Sequence, residues 1–145
     1  MYRFVAILAA TTLAACANLV PLNHISAAEA KWRASGVENY NFTLGVGSLL
    51  RSTDCSPGPR VEVEVRGGKT VKFGTCSPES EMAQNFGSIP RIFTTIRSNR
   101  EERPPRYLVR FNRSLGYPEF IDANYSRWMT DHAVQYYVVD FRRIE

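Results

Sequence analysis

The 145-residue sequence predicts an α+β fold: a single curved antiparallel sheet of about six strands, in the order α-β-β-β-α-β-β-β, with a helix packed on its concave face. Three observations predict it. Val61, Val63 and Val65 alternate with Arg60, Glu62, Glu64 and Arg66, the period of two of a strand with one buried face. Gly67-Gly68 follows, and glycine tolerates the positive φ that a two-residue hairpin turn needs. Ile89, Ile92, Phe93 and Ile96 fall at i, i+3, i+4 and i+7, one apolar helical face set between two groups of strands.

The other elements follow in chain order. Residues 17–25 lack periodicity, contain Pro21 and read as a short tether that includes His24. Ser26-Ala27-Ala28-Glu29 has the form of a capping box and predicts a helix over 27–35, anchored by Trp32 and stopped at Gly36. Tyr40, Phe42, Leu44 and Val46 alternate with Asn41, Thr43 and Gly45 as a first strand. Residues 49–58 are a loop, 61–65 and 70–75 a hairpin, and 77–87 a polar loop. Ser88 caps the second helix, with Pro90 in its first turn. After a charged, proline-rich loop over 99–105, Tyr107, Val109 and Phe111 mark the inward face of a fourth strand. A turn at 112–116 leads to a fifth strand over 117–121. Residues 124–131 form a loop, and 134–141 is a last strand, apolar on both faces and therefore central.

The first residues carry a different signal. Arg3 precedes an apolar run from Phe4 to Ala15, which at 12 residues is too short for the roughly 20 of a membrane-spanning helix. A basic start, an apolar centre and small residues before the cut are the layout of a secretory signal peptide. Leu13-Ala14-Ala15-Cys16 matches the lipobox of bacterial lipoproteins. That resemblance implies cleavage after residue 15 and acylation of Cys16. It divides the chain into a signal peptide over 1–15, a tether over 16–25 and one α+β domain over 26–145. Ala17, where inner-membrane lipoproteins carry aspartate, implies the outer membrane, on its periplasmic face. An uncleaved helix and a soluble secreted protein are the alternatives.

Of the three cysteines, lipidation uses Cys16 and leaves Cys55 and Cys76. In an oxidising compartment the expected outcome is a Cys55–Cys76 bridge, the alternative being two buried thiols. A bridge would close a loop of about 20 residues and contribute about 3 kcal/mol in the chain-entropy account. Loss of residues 1–15 from the 145 leaves 130, enough for one domain that buries about two-thirds of its unfolded surface. The net charge of +4 falls by one with Arg3, too mild to specify a partner.

The order of elements and several local motifs resemble a group of small bacterial exported proteins and lipoproteins known only as a domain of unknown function. The matching pieces are Trp32, Gly36 and Tyr40 ahead of the first strand, the run from Val61 to Lys69, Ile89 to Ile96, Gly116-Tyr117-Pro118 with Ile121, and Asp131 before the last strand. The resemblance implies fold and class, and no activity, cofactor or partner. It also marks two departures. Phe111-Asn112 stands where the group commonly has an aromatic residue and aspartate, and Asn124 where an aspartate is common. Any catalytic or cation-binding role of those carboxylates would be lost here.

Three kinds of chemistry have candidate residues in the chain. His132 adjoins Asp131, with Asp122 and Asp140 nearby in sequence, which suggests a general base held by a carboxylate. No nucleophile motif accompanies it, neighbours on a strand point to opposite faces, and a solvated loop is the plainer reading. Two distant histidines and scattered carboxylates do not make a metal site, and no cofactor is expected. Arg91, Arg97, Arg100, Arg103, Arg106, Arg110 and Arg113 crowd one third of a chain that has only three lysines. Arginine pairs bidentately with phosphate and carboxylate, so this set suggests a surface for an anionic lipid, a cell-wall polymer or an acidic envelope protein; the alternative is a solvated face interspersed with Glu101 and Glu102. Nucleic acid is excluded for an exported chain. The leading expectation is a non-catalytic, membrane-anchored envelope lipoprotein that binds another envelope component through its sheet edge or arginines. The alternatives are an enzyme with a dispersed site near Asp131 and His132, and an inhibitor-like module acting through the disulfide-pinned loop 49–58.

Overall fold

A computed structural model describes residues 18–47, 55–126 and 133–145. The elements are β1 (Asn18–Leu19), α1 (Leu22–Ala34), β2 (Tyr40–Val46), β3 (Arg60–Arg66), β4 (Lys69–Phe73), α2 (Glu81–Phe86), α3 (Ile89–Glu101), β5 (Arg106–Phe111), β6 (Pro118–Asn124) and β7 (Ala133–Arg143). They form one sheet in the order β1-β5-β6-β7-β2-β3-β4. Six strands are antiparallel, as expected, and the two-residue β1 adds to the edge of β5 in parallel. β7 is the central strand.

One face of the sheet is the core. Tyr40, Phe42 and Leu44 of β2 stand opposite Val65, Val63 and Val61 of β3, and all six are buried. The face continues through Val138 and Tyr136 of β7, Ile121 and Ala123 of β6, and Tyr107 of β5. Ile89, Ile92, Phe93 and Ile96 of α3 and Ile25, Ala28 and Trp32 of α1 complete it. Trp32 meets the rings of Tyr40, Tyr117 and Phe141 edge-on. Phe141 reaches this cluster because β7 holds an extra residue: Asn41 pairs with Arg142 but Thr43 with Val139. Asp140, at φ +54, takes up the bulge and reverses the alternation beyond it.

Local chemistry explains the boundaries. Gly67 and Gly68 both have positive φ and close the β3–β4 hairpin. The Ser88 hydroxyl accepts from the Arg91 amide at the head of α3. Two expectations are corrected. The segment read as a tether over 16–25 is folded from Asn18 onward. Pro21, with φ fixed at −65° and no amide hydrogen to leave unpaired, starts α1 five residues before Ala27. The Ser26 capping box is accordingly unused, and Glu29 is engaged elsewhere. The segment read as a polar loop over 77–87 contains α2, capped by Ser80 and burying Met82, Ala83 and Phe86. Among the described residues, no helix is long and apolar enough to cross a membrane.

Candidate functional site

The seven arginines do not share one face. Arg91 donates to the Thr70 hydroxyl and the Ala83 carbonyl, tying α3 to β4 and α2. Arg97 pairs with Glu29 and so joins α3 to α1; Arg100 donates to the Val20 carbonyl at 2.8 Å. Burial alone would raise the Glu29 carboxyl, but Arg97 and Arg33 more than offset that and hold it below its ordinary range. These three arginines are internal staples. Arg103 lies in the turn after α3 at φ +52. Arg106 and Arg110 stand on the sheet face away from the helices. Arg106 pairs with buried Asp122 at 3.0 Å, while Arg110 covers the Phe120 ring and reaches Glu119 at 3.6 Å. Arg113 is exposed in the β5–β6 turn.

The face away from the helices holds a depression of about 370 Å³ lined by Asn41, Glu62, Glu64, Lys72, Asp140 and Arg142. Its charges are mixed and partly paired, Lys72 with Glu62 at 2.7 Å and Arg60 with Asp140 at 3.4 Å. Asp122 and Asp140 are not brought together: Asp122 stands opposite Gln135, five residues along β7 from Asp140. Asp131 and His132 lie outside the described residues, as do Cys16 and most of the loop 49–58. Among the described residues, no cluster of three or more metal-ligating side chains occurs. Cys55 and Cys76 are bonded, with Cα atoms 5.9 Å apart.

A second depression has a different character. Between α1 and the outer side of β5 runs a groove of about 430 Å³. Its floor is apolar, formed by Ala27 and Ala28 on one side and Val109 and Phe111 on the other, and among the described residues no carboxylate lines it. His24, Lys31 and Arg113 rim it, all exposed. The Lys31 ammonium donates to the Arg113 carbonyl at 2.8 Å, which fixes one wall. Gly116 makes the close approach possible: its φ is +82°, and a Cβ there would lie 2.3 Å from the Ala28 carbonyl oxygen. His24 and Lys31 escaped the sequence reading because the helix was begun at residue 27. Started at Pro21, the spacing of 24, 27, 28 and 31 places all four on one helical face.

The two asparagine departures are turn caps. The Asn112 side-chain oxygen accepts from the Ser114 and Leu115 amides, and its nitrogen donates to Glu119. Asn124 accepts from the Ser126 amide. An aspartate could accept the same amides, although it could not donate to Glu119.

With this architecture in view, one comparison decides the family. A family model described as a family of unknown function (DUF6174) matches residues 24–143, from the first turn of α1 to the end of β7. The chain belongs to that family. The match takes in the groove, β4, β5 and the disulfide, and β1 lies outside it. Searches of curated proteins and of solved structures gave no match.

Proposed function

We propose that this member of the family is a non-catalytic, lipid-anchored protein of the bacterial cell envelope, which holds another envelope component close to the membrane. The observation that carries the reading is the position of Leu13-Ala14-Ala15-Cys16 relative to the fold: β1 begins at Asn18, two residues after the cysteine. Two extended residues span at most about 7 Å. An acylated Cys16 would therefore hold the β1–β5 corner at the bilayer surface rather than let the domain swing on a long tether. More than one acyl chain is needed for firm anchoring, and lipoprotein processing supplies several. Ala17, in place of an aspartate after the cysteine, favours the outer membrane, periplasmic side.

The test is crosslinking in intact cells with the full chain as bait, beside a Cys16→Ser control and radiolabelled palmitate. Label on the chain and a dominant crosslinked partner, both lost in the control, support the reading. A chain that takes up no palmitate, or that crosslinks identically with and without Cys16, sinks it.

A further inference from the structure

The two ends of the sheet are finished differently. β4 carries Lys69, Lys72 and a register shift near Val71, all devices that discourage a further strand. β5 is covered by β1 for two residues only, Asn18 against Arg106 and Leu19 against Tyr107. The Val20 amide donates to the Tyr107 carbonyl at 2.9 Å, so the Tyr107 peptide groups point outward. Along a strand these directions alternate, so those of Val109 and Phe111 point outward as well. Among the described residues, no backbone hydrogen bond from another element reaches the outward groups of Val109. Unpaired strand groups are a template for another strand.

We propose that the outer side of β5 from Val109 to Phe111 binds an extended, acidic peptide segment of an envelope protein, added as a strand that continues the row begun by β1. This rests on the anchored-module reading and names the partner's chemistry. Side chains of an added strand alternate between the two faces of the sheet. Those on the helix side enter the groove, where Ala27 and Ala28 leave room beside Val109 and Phe111. Those on the other side pass Leu108, which is 45% exposed. Lys31, Arg110 and Arg113 are the charged residues that line the groove, and among the described residues no carboxylate lines it, so acidic residues gain attraction there and basic ones are repelled. The mixed-charge depression at Glu62 and Lys72 offers no such preference.

The experiment uses the full chain, ¹⁵N-labelled and held in non-ionic detergent. The probe is a seven-residue peptide of alternating valine and glutamate, blocked at both ends; a valine–lysine peptide is the control. The expected result is binding of the acidic peptide alone, with amide shifts confined to 109–113 and 24–31. Affinity should fall about tenfold or more in the Lys31→Glu, Arg113→Glu double variant, and in Val109→Pro, which removes one outward amide. Because a proline variant can disturb the strand, a peptide N-methylated at alternate residues tests the same bonds on unaltered protein and should bind at least about tenfold more weakly. Equal binding of both peptides, no binding of either, undiminished binding of the N-methylated peptide, or shifts that map elsewhere would overturn the proposal. Phosphatidylglycerol vesicles that perturb 109–113 without peptide binding would overturn it in favour of a lipid surface. The parent reading fails separately. A Cys16-dependent partner crosslinked to another face leaves that reading standing and overturns this one. Peptide binding at β5 with no Cys16-dependent partner in cells supports this one and removes the other.

Discussion

The two edges of the sheet are made from similar strands and end in opposite ways. β4 holds two of the chain's three lysines, is kinked by an irregularity, and is followed at once by the Phe73–Cys76 bridge and the disulfide. On its outer side β5 has one short partner, a groove beside it and a free stretch of backbone. A sheet with unprotected edges risks indiscriminate pairing. Protecting one side while leaving the outward groups of Val109 and Phe111 open on the other, under a helix that limits approach, confines pairing to one place. The difference teaches that α1 acts as a wall of the β5 groove as well as a lid on the core.

The largest expected effect comes from removing what holds that wall. Trp32→Ala takes away three edge-on ring contacts at the sheet end of α1 and should destabilise the protein by about 4 kcal/mol. Chemical denaturation measures the loss, and hydrogen exchange should show α1 opening before β2–β4. If α1 and β4 lose protection together, the groove wall is not a separable element and the contrast between edges weakens.

At the other edge, replacing Cys55 and Cys76 together by serine should remove about 3 kcal/mol, since the closed loop spans 21 residues. The disulfide secures the chain just beyond β4, so exchange should rise there while the β5 groove keeps its structure. Unchanged stability on reduction would assign the finish of this edge to β4 alone.

Glu29→Gln should come next, at about 2 kcal/mol near neutral pH, because a carboxylate bonded to both Arg33 and Arg97 is replaced by a neutral group. The pH profile gives the sharper readout. The folded-state carboxyl lies below its ordinary value of 4.5. Its contribution is therefore fully present above that value and is lost as pH falls through the depressed folded value. Wild-type stability should drop on that acid limb, and the variant's profile should be flatter there. Parallel profiles would show that Glu29 does not tie α1 to α3.

Much of this was legible in sequence, for physical reasons that also mark where legibility stopped. Val61 to Val65 and Ile89 to Ile96 announce themselves because one buried face imposes a period of 2 or of 3.6. The disulfide followed from counting cysteines in a chain expected to be exported. The start of α1 was missed because the Ser26 capping box is a stronger local signal than Pro21, and burial of Ile25 overrode it. α2 was missed because six residues are too few to show a period. The arginines misled for another reason: proximity in sequence is not proximity on a surface. Arg91, Arg97 and Arg100 turned inward to bond carbonyls, a hydroxyl and one carboxylate, while of the seven only Arg110 and Arg113 line the groove, beside His24 and Lys31. The free backbone of β5 has no sequence signature, since it depends on where β1 ends.

The smallest expected change in stability bears most directly on the comparison. Lys69→Val with Lys72→Val should leave folding free energy nearly unchanged, because the Lys72–Glu62 pair is solvent-exposed and valine suits a strand. Solution behaviour should nevertheless change. With its charges gone, β4 becomes an apolar edge strand beside exposed Val71, and light scattering should report self-association at concentrations where the unaltered chain stays dispersed. Association blocked by the acidic peptide would place the contact on β5, and association indifferent to it would place the contact on β4. A double variant that remains dispersed would show that the irregular register near Val71 guards this edge without the lysines. The lysines would then answer to solubility alone, and β5 would differ from β4 in backbone geometry rather than in charge.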